Sequence, residues 1–109
     1  MGDGSATRDF IYVKDVALAI VTAMESKLPE FDAFNVCTGK ITTIGDLAKT
    51  VVGQFTSISE IKNYPGRDGD ILRSECNPEK AKTKLGFTAV YSLDQGIQGT
   101  RDWFTSDFI

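Results

Sequence analysis

Residues 8–17 read Arg-Asp-Phe-Ile-Tyr-Val-Lys-Asp-Val-Ala, and this stretch decides the fold. Its first half is rich in aromatic and β-branched residues, which predicts a strand over residues 8–13. Asp15 then offers an N-cap, and apolar residues follow it with helical spacing. The stretch therefore predicts a strand that passes directly into an amphipathic helix. The apolar face of this helix is expected to contain Val16, Ala17, Ile20, Val21 and Met24, and Pro29 lies beyond its end.

Three more helices are predicted downstream from their start and stop signals. Thr43 with Asp46 forms a loose capping box, and Asn77-Pro78-Glu79 combines an N-cap, a proline at the first helical position and an early acid. Gly86 ends that short helix, and a second capping box, Ser92 with Gln95, begins the last one. The apolar faces of the second and last helices are expected to contain Ile44, Leu47, Ala48, Val51 and Phe55, and Leu93, Ile97 and Phe104, respectively.

Short strands are predicted at residues 34–37 and, more weakly, at 58–64, whereas residues 65–70 form a loop dense in glycine and charge. About four helices and two or three short strands define an α/β fold. The 109 residues suit a single domain, spanning residues 1–109.

The composition excludes several classes of function. The chain has no histidine, which removes Ser-His-Asp and Cys-His nucleophile systems and most zinc sites. The net charge is −3 with no basic run, so a nucleic-acid partner is not expected. No apolar run approaches the ~20 residues of a membrane span, and no signal peptide is visible. We expect a cytoplasmic chain with Cys37 and Cys76 reduced, a disulfide between them being the alternative.

Two acidic or glycine-rich patterns have a functional and a simpler interpretation. The sequence from Gly2 to Thr7 resembles the start of a dinucleotide-binding G-x-G-x-x-G motif, but Thr7 replaces its last glycine and no strand precedes it. We therefore interpret it as a loop. Asp68 and Asp70 could bind a cation, but no further ligands follow at metal spacing, so a solvated loop or a contact between one carboxylate and a ligand hydroxyl is favoured.

Four stretches together resemble one protein family. They are Gly2-Asp3-Gly4 with residues 8–17, Phe34 to Gly39 followed by Thr43-Ile44, Arg67 to Asp70, and Asn77 to Phe87. In this order they are similar to motifs of the extended short-chain dehydrogenase/reductases, the NAD-dependent epimerase/dehydratase family of the UDP-glucose 4-epimerase type. Cys37 stands where the family commonly has glycine, and Pro78-Glu79 departs from its usual x-[ST] pair.

The resemblance implies the fold and role of a C-terminal substrate-binding portion. In the family, a Rossmann domain binds NAD and carries a catalytic Tyr-x-x-x-Lys pair. Here Tyr12, Tyr64 and Tyr91 are followed four residues later by Val16, Asp68 and Gln95. We therefore expect no Rossmann domain, no bound NAD and no catalytic residue in this chain, which would be inactive alone.

The resemblance also implies a binding site for a nucleoside-diphosphate sugar. It assigns Arg8 and Arg67 to the diphosphate, Asp70 to a ribose hydroxyl, and Phe10 and Ile44 to the nucleoside pocket. The chemistry agrees, because guanidinium groups suit phosphate oxygens. Each residue also has a simpler interpretation: surface charge for the arginines, core packing for the apolar pair, and a turn for the aspartate. Arg73 is a lower-ranked second cation outside the motif position.

Two alternatives remain open from the sequence. An isolated substrate-binding portion would expose the face that meets a Rossmann domain, and it could then form a homodimer or pair in trans with a Rossmann chain. Alternatively, the chain is a truncated form without a separate role. The base, the sugar, and the choice between epimerase and dehydratase are not determined at this stage.

Overall fold

The computed structural model describes residues 2–28, 31–56 and 59–108, which form four helices and one two-stranded sheet. The predicted α/β class is confirmed. No helix in these ranges is both long and apolar enough to cross a membrane. In chain order the elements are β1 (Thr7–Arg8), α1 (Val13–Glu25), β2 (Thr42–Thr43), α2 (Ile44–Gln54), α3 (Glu79–Leu85) and α4 (Leu93–Phe108).

The centre of the small sheet is β1, which has a neighbour on each side. It pairs antiparallel with β2, so that Thr7 lies opposite Thr43. On the other side, the Thr7 backbone N–H donates to the Leu72 carbonyl (2.9 Å), and the Thr7 carbonyl accepts from the Ser74 N–H (3.2 Å). The segment 72–74 therefore lies beside β1.

The strand predictions are mostly wrong. Only the first residue of the predicted strand 8–13 belongs to β1, and residues 34–37 form no strand. Within the described part of 58–64, only Tyr64 makes a bridge, with Gly2; Ile58 lies outside the described residues. A β-ladder needs a partner at the right place, which local propensity cannot supply.

Asp15 is not the N-cap that the sequence suggested. The helix begins at Val13 with Tyr12 as the preceding residue, so Asp15 is its third residue. Its side chain is fully buried, at 0% exposure, and accepts hydrogen bonds from the backbone N–H groups of Val90 (3.0 Å) and Tyr91 (3.1 Å). A buried carboxylate needs such donors, and here they fix α1 to the segment that precedes α4.

The face that α1 turns to the core also differs from the prediction. Its buried apolar residue is Ala19, and Val16 is half-buried. The other four residues of the predicted apolar face are exposed: Ala17, Ile20, Val21 and Met24. The prediction is therefore wrong for four of five residues. The helix ends at Glu25, and Pro29 lies outside the described residues.

The core is small and lies between α1 and α3. Its buried members are Ala19, Ala81 and Phe87. The partly buried side chains packed around them are Ile11, Phe34, Val36, Leu85 and Ala89. The 34–36 segment thus contributes to the core by packing rather than by strand pairing.

Both capping boxes contribute hydrogen bonds at helix starts. The Asp46 N–H donates to Thr43 Oγ1 (3.0 Å) at the start of α2. At the start of α4, the Ser92 N–H donates to Gln95 Oε1 (2.9 Å) and the Gln95 N–H donates to Ser92 Oγ (3.2 Å). These predictions are confirmed.

The helices α2 and α4 pack against each other. Five residues of their predicted apolar faces are half-buried: Ile44, Leu47, Ala48, Leu93 and Ile97. Three others stay exposed: Val51, Phe55 and Phe104.

The start of α3 lies one residue later than predicted. Its first residue is Glu79, whose N–H donates to Asn77 Oδ1 (3.0 Å), so Asn77 supplies the expected cap. Gly86 ends α3 in the left-handed conformation at φ +71°, as predicted.

A lysine of α3 holds the chain that follows α1. The Lys80 ammonium donates to Asp32 Oδ1 (2.6 Å) and to the Ala33 carbonyl (2.7 Å), and it lies 5.0 Å from the centre of the Phe34 ring. The hydrogen bond from Lys80 lowers the pKa of Asp32 to about 2. The contact therefore persists through ordinary acidic pH and is lost only as Asp32 protonates near pH 2.

The prediction of two reduced cysteines is wrong. Cys37 and Cys76 form a disulfide, with their Cα atoms 6.3 Å apart. That spacing is within the range of ordinary disulfides. The bond joins two positions that are 39 residues apart in sequence. Cys37 ends the 34–37 segment, and Cys76 lies just before α3.

Two glycines of α4 accommodate the side chain of Tyr12. A Cβ atom at Gly96 would lie 3.1 Å from Tyr12 Cβ, and one at Gly99 would lie 2.3 Å from the Tyr12 hydroxyl oxygen. The Tyr12 ring also meets Tyr91 edge-on, with ring centres 4.9 Å apart. The Tyr12 side chain thus packs across α4 at the two positions where the helix has no side chain.

We predict that Asp15→Ala lowers the free energy of unfolding by about 2–4 kcal/mol, because two partly buried hydrogen bonds from backbone N–H groups lose their acceptor. Asp46→Ala is the matched control, since Asp46 is also the third residue of its helix but is exposed, and its loss should stay below about 1 kcal/mol. Urea unfolding measures both values. Equal losses for the two variants would contradict the structural role of Asp15.

We also predict that Gly96→Ala destabilises the protein by about 1–3 kcal/mol, because the added methyl group meets Tyr12. Gly53→Ala in α2 has open space around the new methyl group and should instead stabilise by up to about 1 kcal/mol. Thermal unfolding of both variants makes the comparison. A gain of stability in Gly96→Ala would disprove the close packing against Tyr12.

Candidate functional site

Arg8 lies in β1, opposite Thr42 of β2, and is half-buried. Its Nη1 donates to the carbonyl of Thr7 (2.6 Å). Within the described ranges this is the only hydrogen bond of its guanidinium group, which carries five N–H donors. The remaining donors can therefore meet an anion.

The backbone around Arg8 is held by the residues on either side of it. Thr7 exchanges two backbone hydrogen bonds with the 72–74 segment. The Asp9 carboxylate accepts from the Thr38 N–H (3.1 Å), the Thr38 hydroxyl (2.6 Å) and the Gly39 N–H (2.8 Å). Arg8 is thus positioned by contacts of its neighbours to two segments distant in sequence.

Arg67 and Asp70 face each other across a tight turn. The Arg67 N–H donates to Asp70 Oδ2 (2.9 Å), and the Asp70 N–H donates to the Arg67 carbonyl (3.1 Å). Gly69 adopts φ +85°, which glycine allows. Both side chains are exposed. Asp70 therefore shapes the turn with its Oδ2 atom.

The turn with Arg67 and Asp70 leads into the segment that lies beside β1. Asp70 is two residues before Leu72, whose carbonyl accepts from Thr7. This pairing joins the segment that follows Arg67 and Asp70 to the strand that contains Arg8. Sequence reasoning could not find the pairing, because a single bridge between Thr7 and Arg73 carries it.

The two apolar candidates lie in different environments. Phe10 is half-buried and lines a cavity of about 320 Å³ between the start of α1, α2 and α4, together with Leu47 and Ile97. Ile44 is the first residue of α2, and its N–H donates to the Ala6 carbonyl (2.8 Å). Phe10 thus takes part in helix packing, whereas Ile44 adjoins the loop that precedes β1.

Arg73 differs from Arg8 and Arg67 in having an acidic partner. Its Nε pairs with the Glu75 carboxylate, and both side chains are largely exposed. A neighbouring carboxylate competes with a phosphate for the guanidinium group. The ranking of Arg73 below Arg8 and Arg67 as a phosphate ligand stays a prediction.

Sequence reasoning missed the contribution of Asp9, Thr38 and Gly39. Asp9 belongs to the 8–17 stretch, but its acceptor role becomes visible only when residues 38–39 lie next to it. In the sequence, the Thr38-Gly39 pair only follows the strand that was predicted at residues 34–37. Gly39 adopts φ +81°, and a Cβ there would lie 2.9 Å from Pro78 Cγ, so glycine is needed at this position.

The loop from Gly2 to Ala6 does not fit a dinucleotide. The carbonyl of Gly4 accepts from the Gly45 N–H (2.8 Å), and a Cβ on Gly4 would lie 3.1 Å from Gly45 Cα. The first two N–H groups of α2 thus donate to the loop itself. Asp3 accepts from the Ser5 hydroxyl and N–H, and the hydroxyl bond lowers the pKa of Asp3.

Across the described ranges, no three histidine, cysteine or acidic side chains come together as metal ligands. The carboxylate of Asp70 is instead engaged in the turn with Arg67.

The comparisons with known proteins agree on one family. The family model of GDP-mannose 4,6 dehydratase matches residues 1–100. The dTDP-L-rhamnose 4-epimerase of Burkholderia thailandensis is 30% identical over 105 residues, which is 96% of this chain and 29% of that protein.

Solved structures share the fold over nearly the whole chain. The UDP-glucose 4-epimerase of Thermotoga maritima, determined with UDP-glucose, is 36% identical with a TM-score of 0.89 and covers 100% of this chain, which corresponds to 35% of its own. The enzyme WbmF of Bordetella bronchiseptica, in complex with NAD⁺ and UDP, is 36% identical with a TM-score of 0.78 and covers 95% of this chain and 30% of its own.

The chain thus spans about a third of the length of the relatives that it matches. The match extends from the loop before β1 into α4, and it includes both arginine-bearing segments. The chain therefore belongs to the GDP-mannose 4,6 dehydratase family, within the extended short-chain NAD-dependent epimerases and dehydratases.

Proposed function

We propose that this chain is the nucleoside-diphosphate-sugar-binding portion of an NAD-dependent sugar epimerase or dehydratase, with no catalytic activity by itself. The observation that carries the proposal is the pairing of β1 with residues 72–74, because it joins the segment of Arg8 to the segment of Arg67 and Asp70. The Thermotoga relative was determined with UDP-glucose and the Bordetella relative with UDP, which supports this ligand class.

The proposed roles follow from the free groups of each side chain. Arg8 and Arg67 bind the diphosphate, since neither guanidinium group has an acidic partner among the described residues. The Asp70 oxygen that is not used in the turn accepts from a ribose hydroxyl. Phe10 and Ile44 remain proposed nucleoside contacts. Hydride transfer would require the NAD-binding portion of the longer relatives. The cytoplasmic location stays a prediction.

We predict saturable binding of UDP-glucose, dTDP-glucose or UDP to the purified chain, measured by calorimetry. Arg8→Ala and Arg67→Ala should each weaken binding about 10- to 100-fold, because each removes charge-assisted hydrogen bonds to phosphate. Lys49→Ala, on the exposed side of α2, removes the same charge and should leave the affinity unchanged.

Two outcomes would count against the proposal. Affinity that is insensitive to both arginine substitutions would separate binding from the proposed site. Turnover of UDP-glucose by the chain alone with NAD⁺ would contradict its lack of activity.

A second proposed function is that of an interaction module, and the outward face of α1 favours it. This face contains Val13, Ala17, Ile20, Val21 and Met24, with Val13 and Met24 as much as 68% and 79% exposed. The whole chain exposes 8184 Å², whereas a folded monomer of this mass exposes about 6,000 Å². The excess is comparable to one side of a large permanent interface.

We predict that the isolated chain self-associates with rising concentration in analytical ultracentrifugation. Ile20→Lys and Met24→Lys should reduce the association, since they place charge in the apolar face of α1. Ile61→Lys is the matched control, because Ile61 is similarly exposed (48%) but lies outside α1. A monodisperse monomer at high concentration would argue against self-association and leave a Rossmann-type chain as the partner to test.

A further inference from the structure

The disulfide joins the two segments that hold Arg8 in place. Cys37 immediately precedes Thr38 and Gly39, which donate to the Asp9 carboxylate. Cys76 is two residues after Ser74, whose N–H donates to the Thr7 carbonyl. The Cys37–Cys76 bond therefore closes a ring of contacts around β1, with Arg8 between its two points of attachment.

The same two segments meet a second time beside the disulfide. Gly39 lies against the Pro78 ring, so closely that a Cβ atom at Gly39 would be 2.9 Å from Pro78 Cγ. Cys37 itself is only 5% exposed. The bond thus lies inside a tight contact that continues to Asp9, rather than on a loose surface loop.

We propose that the Cys37–Cys76 disulfide is a redox switch that sets the affinity of the Arg8 site for a nucleoside diphosphate, an inference that rests on the proposed function. In the oxidised form, the bond keeps residues 38–39, which contact Asp9, close to residues 72–74, which contact Thr7. In the reduced form, hydrogen bonds and packing alone hold them, and a cross-link over 39 residues no longer limits their separation.

The position of Arg67 extends the effect to the second proposed phosphate ligand. The 72–74 segment continues directly from the turn that contains Arg67 and Asp70. Release of this segment from residues 37–39 therefore loosens both arginines relative to each other. Ordering even one backbone residue at the moment of binding weakens affinity by a factor of about ten.

The reductant is a dithiol, and the step balances as a thiol–disulfide exchange. Cys76 is less buried than Cys37, so the dithiol thiolate attacks Cys76 Sγ and Cys37 leaves as a thiolate. The second thiol of the reductant then displaces Cys76. The disulfide gains two electrons and two protons to give two thiols, and the dithiol becomes a cyclic disulfide. Disulfides in reducing compartments are typically of this transient, redox-sensing kind.

The test compares UDP binding by the full 109-residue chain before and after reduction with dithiothreitol, followed by removal of the reductant and reoxidation. We expect UDP affinity to fall about tenfold on reduction and to return on reoxidation. Cys37→Ser and Cys76→Ser should bind UDP as weakly as the reduced chain, whether or not dithiothreitol is present. Equal affinity in both redox states would overturn the switch while leaving the proposed function intact. No binding in the oxidised state would overturn the proposed function itself.

Amide spectra distinguish a switch from a bond that only maintains the fold. On reduction, the amide signals of Arg8, Thr38 and Gly39 should shift, whereas those of Ala19 in α1 and Thr100 in α4 should stay in place. Collapse of the whole spectrum on reduction would contradict the proposal, because the disulfide would then be required for folding rather than for control of the site.

Discussion

The structure depends above all on the buried carboxylate of Asp15. It lies in the first turn of α1 and accepts from the backbone of Val90 and Tyr91, directly before the capping box that begins α4. A charged group without exposure is stable only when donors surround it, so the two chain segments must come together for either to be well placed. This contact fixes the start of α1 against the entry to α4. The Tyr12 side chain, which precedes α1, then packs against Gly96 and Gly99 of α4.

Asp9 has a corresponding role six residues earlier. It ties the end of β1 to residues 38–39, just as Asp15 ties α1 to residues 90–91. Two carboxylates of one short stretch therefore connect it to two distant parts of the chain. Arg8 lies at the start of this stretch, so a framework of backbone hydrogen bonds determines its position. Side chains that rest on such a framework are well suited to bind a ligand of fixed geometry such as a diphosphate.

The chain is more extended than a compact domain of its length, and its buried core is small. Its radius of gyration is 16.5 Å, compared with about 13 Å for a compact domain of this length. The core between α1 and α3 contains only three buried apolar side chains in the described residues. The contacts of Asp9 and Asp15 supply constraints that a larger core would otherwise provide. The helix α1 combines a buried and an exposed side. Asp15 fixes its buried side to the rest of the chain, whereas its outward apolar face is exposed.

The sequence by itself determined the elements whose signals are local. Helix starts are specified within a few residues by Thr43 with Asp46 and by Ser92 with Gln95, and a helix end is specified by Gly86. The helices α2 and α4 begin where these signals predict, and α3 begins one residue later. The motifs also identified the family, because the order of residue types can be read from the sequence without knowledge of their contacts. The tertiary structure alone decided what depends on distant partners. It decided which predicted strands found a neighbour, which face of α1 is buried, why Gly45 and Gly96 lack a side chain, and that Cys37 meets Cys76. Helical periodicity reveals an apolar face but not what covers it, since a partner across space leaves no trace in local spacing.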